Sequence, residues 1–387
     1  MRCPLPGVLA LLLGLAAASP AAAVSLGYTA AGGGGGDGGL ATRASVEPWH
    51  LAALGQTLYV SSVARSTVRR VTADGLIQGV AGNYLPRPSS DPMPAPGQVS
   101  PALSTRLSRD VSCVAAASAD QVYFAAGNTI QLVQSGGLRT VVAGTLPNGS
   151  ALFREVGGCA IDGNLLYFAT DDAVLACPLP IAAVGCAPTV LLSGLSAPRG
   201  LAIGAGRVLF IAERLLNRVI ARRPNGTVVV VAGGGTALGD GGPATEANLD
   251  GPEDVAYDAQ TGDLYIADRA NFRVRRVDAA GIITTVAGTG NQNFTSNWIV
   301  PAQVGNDLLR SPMTPSGLAI TSDRRLWIAS LDRIDVLPLS GGSPAPTPTP
   351  TGVPPADSCD ITGDGTVTSI DAVRILQFIS GLRPTCP

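Results

Sequence analysis

The sequence predicts an all-β fold, a ring of six four-stranded blades, and three observations lead to it. The first is composition: 48 Gly and 30 Pro in 387 residues supply tight turns, which favour many short strands over long helices. The second is the segment Gly239 to Gly290, where VAY, LYIA, VRRV and ITTVAG are separated by Gly, Asp and Asn. Four such runs in about 40–50 residues make one antiparallel meander, the size of a single blade. The third is recurrence. An aromatic in the second strand marks each copy, at Tyr59, Tyr123, Tyr167, Phe210, Tyr265 and Trp327. One blade cannot bury both of its faces, so six markers imply six blades closed on one another.

The copies differ in clarity. Ser62 to Val71, SVARSTVRRV, aligns without gaps on Asp268 to Val277, DRANFRVRRV, and Arg199 to Gly233 repeats the same pattern. Weaker copies run through Cys113 to Gly144, Cys159 to Gly194 and Gly317 to Leu339. The succession DGGPAT, YIAD, NFRVRRVD, GIITTVAGTG resembles the NHL repeat. That resemblance implies a β-propeller, usually a binding platform and occasionally an enzyme. It extends over residues 24–339. The Gly-rich stretch Tyr28 to Pro48 matches the blade-to-blade connection Val230 to Pro252, GDGG included. Val24 to Ala31 is therefore expected as an outermost strand completing the last blade, which lacks a fourth strand after Leu339. The insert Asn83 to Pro101 reads as a long loop between the first two blades.

Charge narrows the partners. Lys plus Arg total 26 against 28 Asp plus Glu, a net charge of -2. A near-neutral chain without charge runs has no footprint for nucleic acid or for an anionic membrane. Residues 1–23 read as a cleaved signal peptide: Met1-Arg2, an apolar run from Val8, and small residues to Ala23. No membrane span follows it, and a secreted, extracellular or surface location is expected. Six cysteines remain after Cys3 leaves, an even number that fits disulfides. Cys177 and Cys186 flank PLPIAAVG, which reads as a hairpin, and are expected to pair. Cys113 and Cys159 hold the repeat position that is Leu51, Leu201, Val255 and Leu318 elsewhere. They read either as an inter-blade bridge or as two buried thiols.

Two acid–arginine pairs recur at one spacing, Glu213/Arg218 and Asp268/Arg273. The structural reading makes each a tie at a turn; the functional one makes the acids a general acid–base pair. Asp37 and Asp240, in Gly-Asp-Gly-Gly turns, read as turn formers.

Residues 340–358, SGGSPAPTPTPTGVPPADS, form a Pro/Thr-rich linker, a semi-rigid spacer of roughly 50–60 Å. Residues 359–387 form a small loop–helix calcium module. Calcium needs six or seven oxygens around a sharply turning loop. Asp360, Thr362, Asp364, the Thr366 carbonyl, Thr368 and Asp371 fall at positions one, three, five, seven, nine and twelve, with Gly365 at the sixth. Val373, Leu376 and Ile379 then give a helical apolar face. With Asp at position twelve and Pro-rich sequence where an entering helix would stand, the segment resembles a single dockerin type I repeat, an EF-hand-like element. It departs from that pattern at Thr362 and in lacking a second copy. Cys359 and Cys386 bracket it, and a bridge between them would staple a unit too small to fold alone. The resemblance implies Ca2+ as the metal and a cohesin-like or surface partner.

The functional expectation is a secreted, non-catalytic binding or scaffold protein. Its propeller engages a protein or glycan, and its tail attaches it to a partner or surface. With one histidine, His50, and no GxSxG, the usual hydrolase constellations lack raw material. The alternative is an extracellular propeller enzyme of carbohydrate-active, lactonase or lyase type in polysaccharide catabolism, with Glu213 and Asp268 as its acids.

Overall fold

The structure is a computed structural model in which residues 26–31, 37, 41, 46–84, 98–107, 111–144, 152–182, 185–291, 306–331 and 333–339 are described. The expected signal peptide, the linker and the calcium module, with Asp360 to Asp371 and Cys359/Cys386, lie outside these residues. The described residues form six antiparallel sheets, four of four strands and two of five.

The fifth sequence copy gives the pattern, blade 5: Pro252–Tyr257, Leu264–Asp268, Arg273–Val277 and Ile283–Ala287, hydrogen-bonded in chain order. Every residue of its second strand is buried. Neighbouring blades cover both faces of that strand, so its sequence is a continuous apolar run rather than an alternating one. The fourth strand of blade 4, Val228–Ala232, lies at the rim and alternates exposed with half-buried positions before its buried end.

Each aromatic marker packs on the next blade. Tyr59 meets Val114 and Phe124 of blade 2, Tyr123 meets Phe168 of blade 3, and Tyr167 meets Leu201 of blade 4. Phe210 stacks on Tyr257 of blade 5 with ring centroids 5.5 Å apart. Tyr265 joins Leu326 of blade 6, and Trp327 joins Leu51 of blade 1. Six interfaces thus hold six hydrophobic clusters, and no single core exists without its neighbours.

The glycine of the VAG motif explains itself locally. Gly82, Gly233 and Gly288 end fourth strands with φ of +91, +90 and +94. A Cβ there would lie 2.3, 2.3 and 2.2 Å from the carbonyl oxygens of Ser66, Asn217 and Phe272. Only glycine allows that conformation and that approach.

Ring closure occurs as the repeat alignment anticipated, with one correction. Leu26–Ala31 pairs antiparallel with Arg333–Pro338, Tyr28 opposite Val336 and Ala31 opposite Ile334. It is not outermost, however. Asn306–Asp307 pairs along its other edge, at Leu26↔Asp307 and Gly27↔Asn306. The long insert also contributes structure at its end: Ser100–Pro101 adds a fifth strand to blade 2 beside Gly137 and Leu138.

Both propeller disulfides form. Cys113–Cys159 joins blades 2 and 3 with Cα atoms 5.7 Å apart, and Cys177–Cys186 closes the blade 3 hairpin at 6.1 Å. The first closes a loop of 46 residues, for which chain entropy gives about 4 kcal/mol of stabilisation. The hairpin also clasps blade 2. Arg139 donates to the Ile181 and Ala182 carbonyls at 2.9 Å each, and the Cys186 N–H donates to Val141 at 2.8 Å.

Candidate functional site

The blades align on their first inward apolar residues, and the positions just before these surround the ring axis. One position before stand His50, Ser112, Gly158, Gly200, Asp254 and Gly317; two before stand Trp49, Val111, Gly157, Arg199, Glu253 and Ser316. The three glycines of the inner level are required by crowding. A Cβ on Gly158, Gly200 or Gly317 would fall 2.4, 2.1 or 2.7 Å from atoms of the next blade. First strands of adjacent blades therefore touch at this level.

Into that crowding project His50 and Asp254, from blades 1 and 5. His50 Nε2 lies 3.7 Å from Asp254 Oδ2, and the Val114 N–H donates to His50 Nδ1 at 3.4 Å. Asp254 accepts the N–H groups of Val255 and, across to blade 6, Leu318, at 2.9 and 2.7 Å. Burial pushes His50 down to about 4 and Asp254 well above the usual carboxylate value, against its two backbone hydrogen bonds. The distance alone would permit an ion pair, but both shifts favour neutral forms, and desolvation decides.

This has a pH consequence. Between about pH 6.5 and 4 the unfolded chain protonates His50 and the folded one does not, so stability falls as pH drops through that window, by about 3 kcal/mol. Asp254 acts oppositely, because the folded state retains a proton that the unfolded state releases above its ordinary value. His50→Gln is therefore expected to flatten or reverse the pH slope of the urea midpoint between pH 4 and 6.5. An unchanged slope would show that His50 is not buried neutral.

Above this level the side chains diverge in chemistry. Glu253 is 4% exposed; its Oε2 stands 3.5 Å from Arg214 Nε and its Oε1 4.0 Å from Arg199 Nε. Arg199 also reaches Glu155 at 2.9 Å. The Arg269 guanidinium lies over Trp49, 4.6 Å from the ring centroid, and interacts with both Glu253 and Arg214. Burial lowers the Arg269 pKa, with Glu253 opposing and Arg214 reinforcing that direction. Beside Trp49 a pocket of about 310 Å³ opens, lined by Glu47, Trp49, Arg269, Thr314, Ser316 and Leu331 among others. Blades 1, 5 and 6 build it from the segments entering their first strands and the turns after their second strands. Glu47 and Leu331 sit at φ 46 and 44, a left-handed conformation uncommon for such residues outside constrained sites.

The acids singled out in the sequence lie elsewhere. Glu213 and Asp268 are wholly buried. Glu213 accepts the Ser196 N–H at 3.1 Å and Arg218 Nε at 2.6 Å, as the structural reading expects. Asp268 corrects it. Its Oδ1 accepts the Asp250 N–H at 2.8 Å, while Oδ2 takes Asn271 at 2.9 Å and Arg275 at 3.3 Å. Arg273 instead donates to the Asn271 and Thr289 carbonyls. Arg275, two residues on along the strand, is fully buried and needs the carboxylate more than half-exposed Arg273 does. Each acid ties the segment entering its blade to the end of the second strand. In blade 6 Ser330 does the same for the Thr314 N–H, at 2.9 Å. Neither acid faces solvent as a general acid or base must.

Asp37 and Asp240 are more than turn formers. Asp240 accepts from Arg275 at 2.7 Å, and Asp37 from Arg69 at 3.4 Å. Trp49, Arg199, Arg214, Glu253 and Arg269 escaped the sequence reading. Three of them, Trp49, Arg199 and Glu253, carry a signal in retrospect, standing at a position where side-chain type changes from blade to blade while the flanking core does not. Among the described residues no group of three or more His, Cys, Asp or Glu is placed to hold a metal ion, and no helix is long and apolar enough to cross a membrane.

Comparison with known proteins agrees with the fold. Residues 249–277 match the NHL repeat. Teneurin-1 of Homo sapiens is 32% identical over 100 aligned residues, which cover 22% of this chain. The match spans only 4% of teneurin-1's own length. Among solved structures, a protein of unknown function from Bacteroides thetaiotaomicron superposes with a TM-score of 0.58 at 17% identity, covering 81% of this chain and 76% of that one. An auxiliary nutrient binding protein from the same organism gives 0.54 at 14% identity, over 81% and 76%. At these identities the likeness is one of fold. The chain is a six-bladed β-propeller that carries an NHL repeat at residues 249–277.

Proposed function

We propose that this is a secreted, non-catalytic binding protein that holds a glycan on the face carrying Trp49, and that its C-terminal module binds calcium and attaches it to a partner or surface. One observation carries the reading. Segments from several blades converge there on a pocket with an aromatic wall, two hydroxyls and charged groups whose polar atoms are incompletely paired. Such mixed walls, with few oriented polar groups, are the usual form of a ligand site. Two disulfides are compatible with an oxidising, extracellular setting.

The test is retention on an array of neutral and acidic oligosaccharides, wild type against Trp49→Ala. Retention by the wild type and its loss in Trp49→Ala, with an unchanged thermal transition, is the expected result. Equal retention by both would place the ligand elsewhere, and turnover of a bound oligosaccharide would favour the enzyme reading. For the tail, calorimetry on the full chain is expected to show one calcium site that disappears in Asp360→Ala and Asp371→Ala. Absence of binding heat in the wild type would end the calcium assignment.

A further inference from the structure

Arg199 and Arg214 stand against Glu253 on this face and Arg269 interacts with it from farther off, yet none is well paired with it. The contacts of 3.5 and 4.0 Å exceed the 2.7–2.9 Å of a good charge-assisted hydrogen bond. Glu253 Oε2, Arg199 Nε and Arg269 Nη1 are all buried and hydrogen-bonded to no other protein atom. Buried donors on charged groups are costly to leave unmade. With Glu155 counted, three positive charges face two negative ones, a local excess of one positive charge in a chain of net charge -2. Glu253 holds the guanidiniums together against their mutual repulsion without using up their donors.

We infer that the cluster is an acid-group subsite, and that the ligand is a saccharide bearing carboxylates, an oligouronate. The carboxylate takes the planar donor pairs of Arg214 and Arg269, and the sugar ring occupies the adjoining pocket against Trp49 and Leu331. This rests on the glycan reading above and narrows it. The pocket chemistry favours a sugar over an acidic peptide. Its volume of about 310 Å³ suits a single ring, and an aromatic beside Thr314 and Ser316 hydroxyls matches a ring with an apolar face and a polar edge. An extended peptide needs a free strand edge for backbone pairing, and the blades' free edges lie at the rim, away from the axis. Arg269 links the two parts, because it lines the pocket and interacts with Glu253 and Arg214. Guanidinium is the group suited to planar, two-point recognition of a carboxylate.

The experiment is isothermal titration of the full chain with trigalacturonate, trimannuronate, their methyl esters and neutral trisaccharides of galactose and mannose. At least one uronate is expected to bind, with its methyl ester at least tenfold weaker and its affinity falling with added salt. Arg214→Gln is expected to weaken uronate binding about tenfold. Arg214 is 44% exposed, so this variant keeps the fold, which the thermal transition checks. Arg207→Gln, which removes the same charge from a residue 58% exposed and paired with Asp162 in blade 3, is expected to bind as wild type. Equal binding of acid and ester, or binding of a neutral trisaccharide alone, overturns the acid subsite and leaves the glycan reading intact. Failure of the whole panel overturns both, and equal losses in Arg207→Gln and Arg214→Gln reduce the effect to net charge.

Discussion

Deleting residues 24–35 is expected to lower stability by about 5 kcal/mol. The strand Leu26–Ala31 lies between Arg333–Pro338 and Asn306–Asp307, so its loss opens ladders on both sides. A net value of about 1 kcal/mol per hydrogen bond over about five bonds gives that magnitude. The strand also joins the first described residues to the last blade, and a ring without closure loses the mutual support of its end blades. Calorimetry is expected to show a transition lower by about 10 °C or more. A synthetic peptide of residues 24–35 added in trans is expected to recover part of that shift. Thr29→Pro, which removes a backbone donor opposite Asp335, is expected to act in the same direction more mildly. A transition unmoved by the deletion would refute the closure.

Arg275→Ala is expected to cost about 3–5 kcal/mol, because it leaves a buried carboxylate short of its cation. Arg275 is wholly buried. It donates to Asp268, to Asp240 and to the Leu238 carbonyl, at 3.3, 2.7 and 2.7 Å. The residue thus fastens the connection from blade 4 to the interior of blade 5. Burial already pushes Asp268 up, with Arg275 among the groups that pull it down, so losing the guanidinium favours a protonated acid. The double variant Arg275→Met, Asp268→Asn is expected to recover most of the loss, since the charge and its partner leave together. Urea denaturation separates these outcomes, and a loss below about 1 kcal/mol for Arg275→Ala would show the pair to be incidental. Arg69 and Asp37 repeat the device in blade 1 at 3.4 Å, where a smaller loss is expected because the contact is longer.

How far these features could be read in advance depended on whether they repeat. The VAG glycines, the aromatic markers and the closing strand recur or match another copy, and repetition exposes whatever the blade needs to form. The pairing of Asp268 did not follow from spacing. Asp268 and Arg273 are opposed across the strands, but the buried Arg275 two residues on takes the acid, whereas blade 4 has Ile220 at that position and Glu213 keeps Arg218. The face around Trp49 was hidden for the opposite reason. Arg199, Glu253, Trp49 and Ser316 stand at one repeat position with four different chemistries, and a search for similarity passes over them.

By itself, therefore, the sequence determined the blade, the number of blades and the element that closes them, because each depends on local turn chemistry and on apolar runs that must be covered on both faces. It also determined that Cys177 and Cys186 lie near one another, since they are only nine positions apart. Only the tertiary structure decided between a bridge and two thiols for Cys113 and Cys159, placed His50 against Asp254, and gathered three arginines from two blades around one glutamate. Those arrangements join residues from different blades. Their distances are set by how the blades pack around the axis, and no periodicity along a chain encodes them.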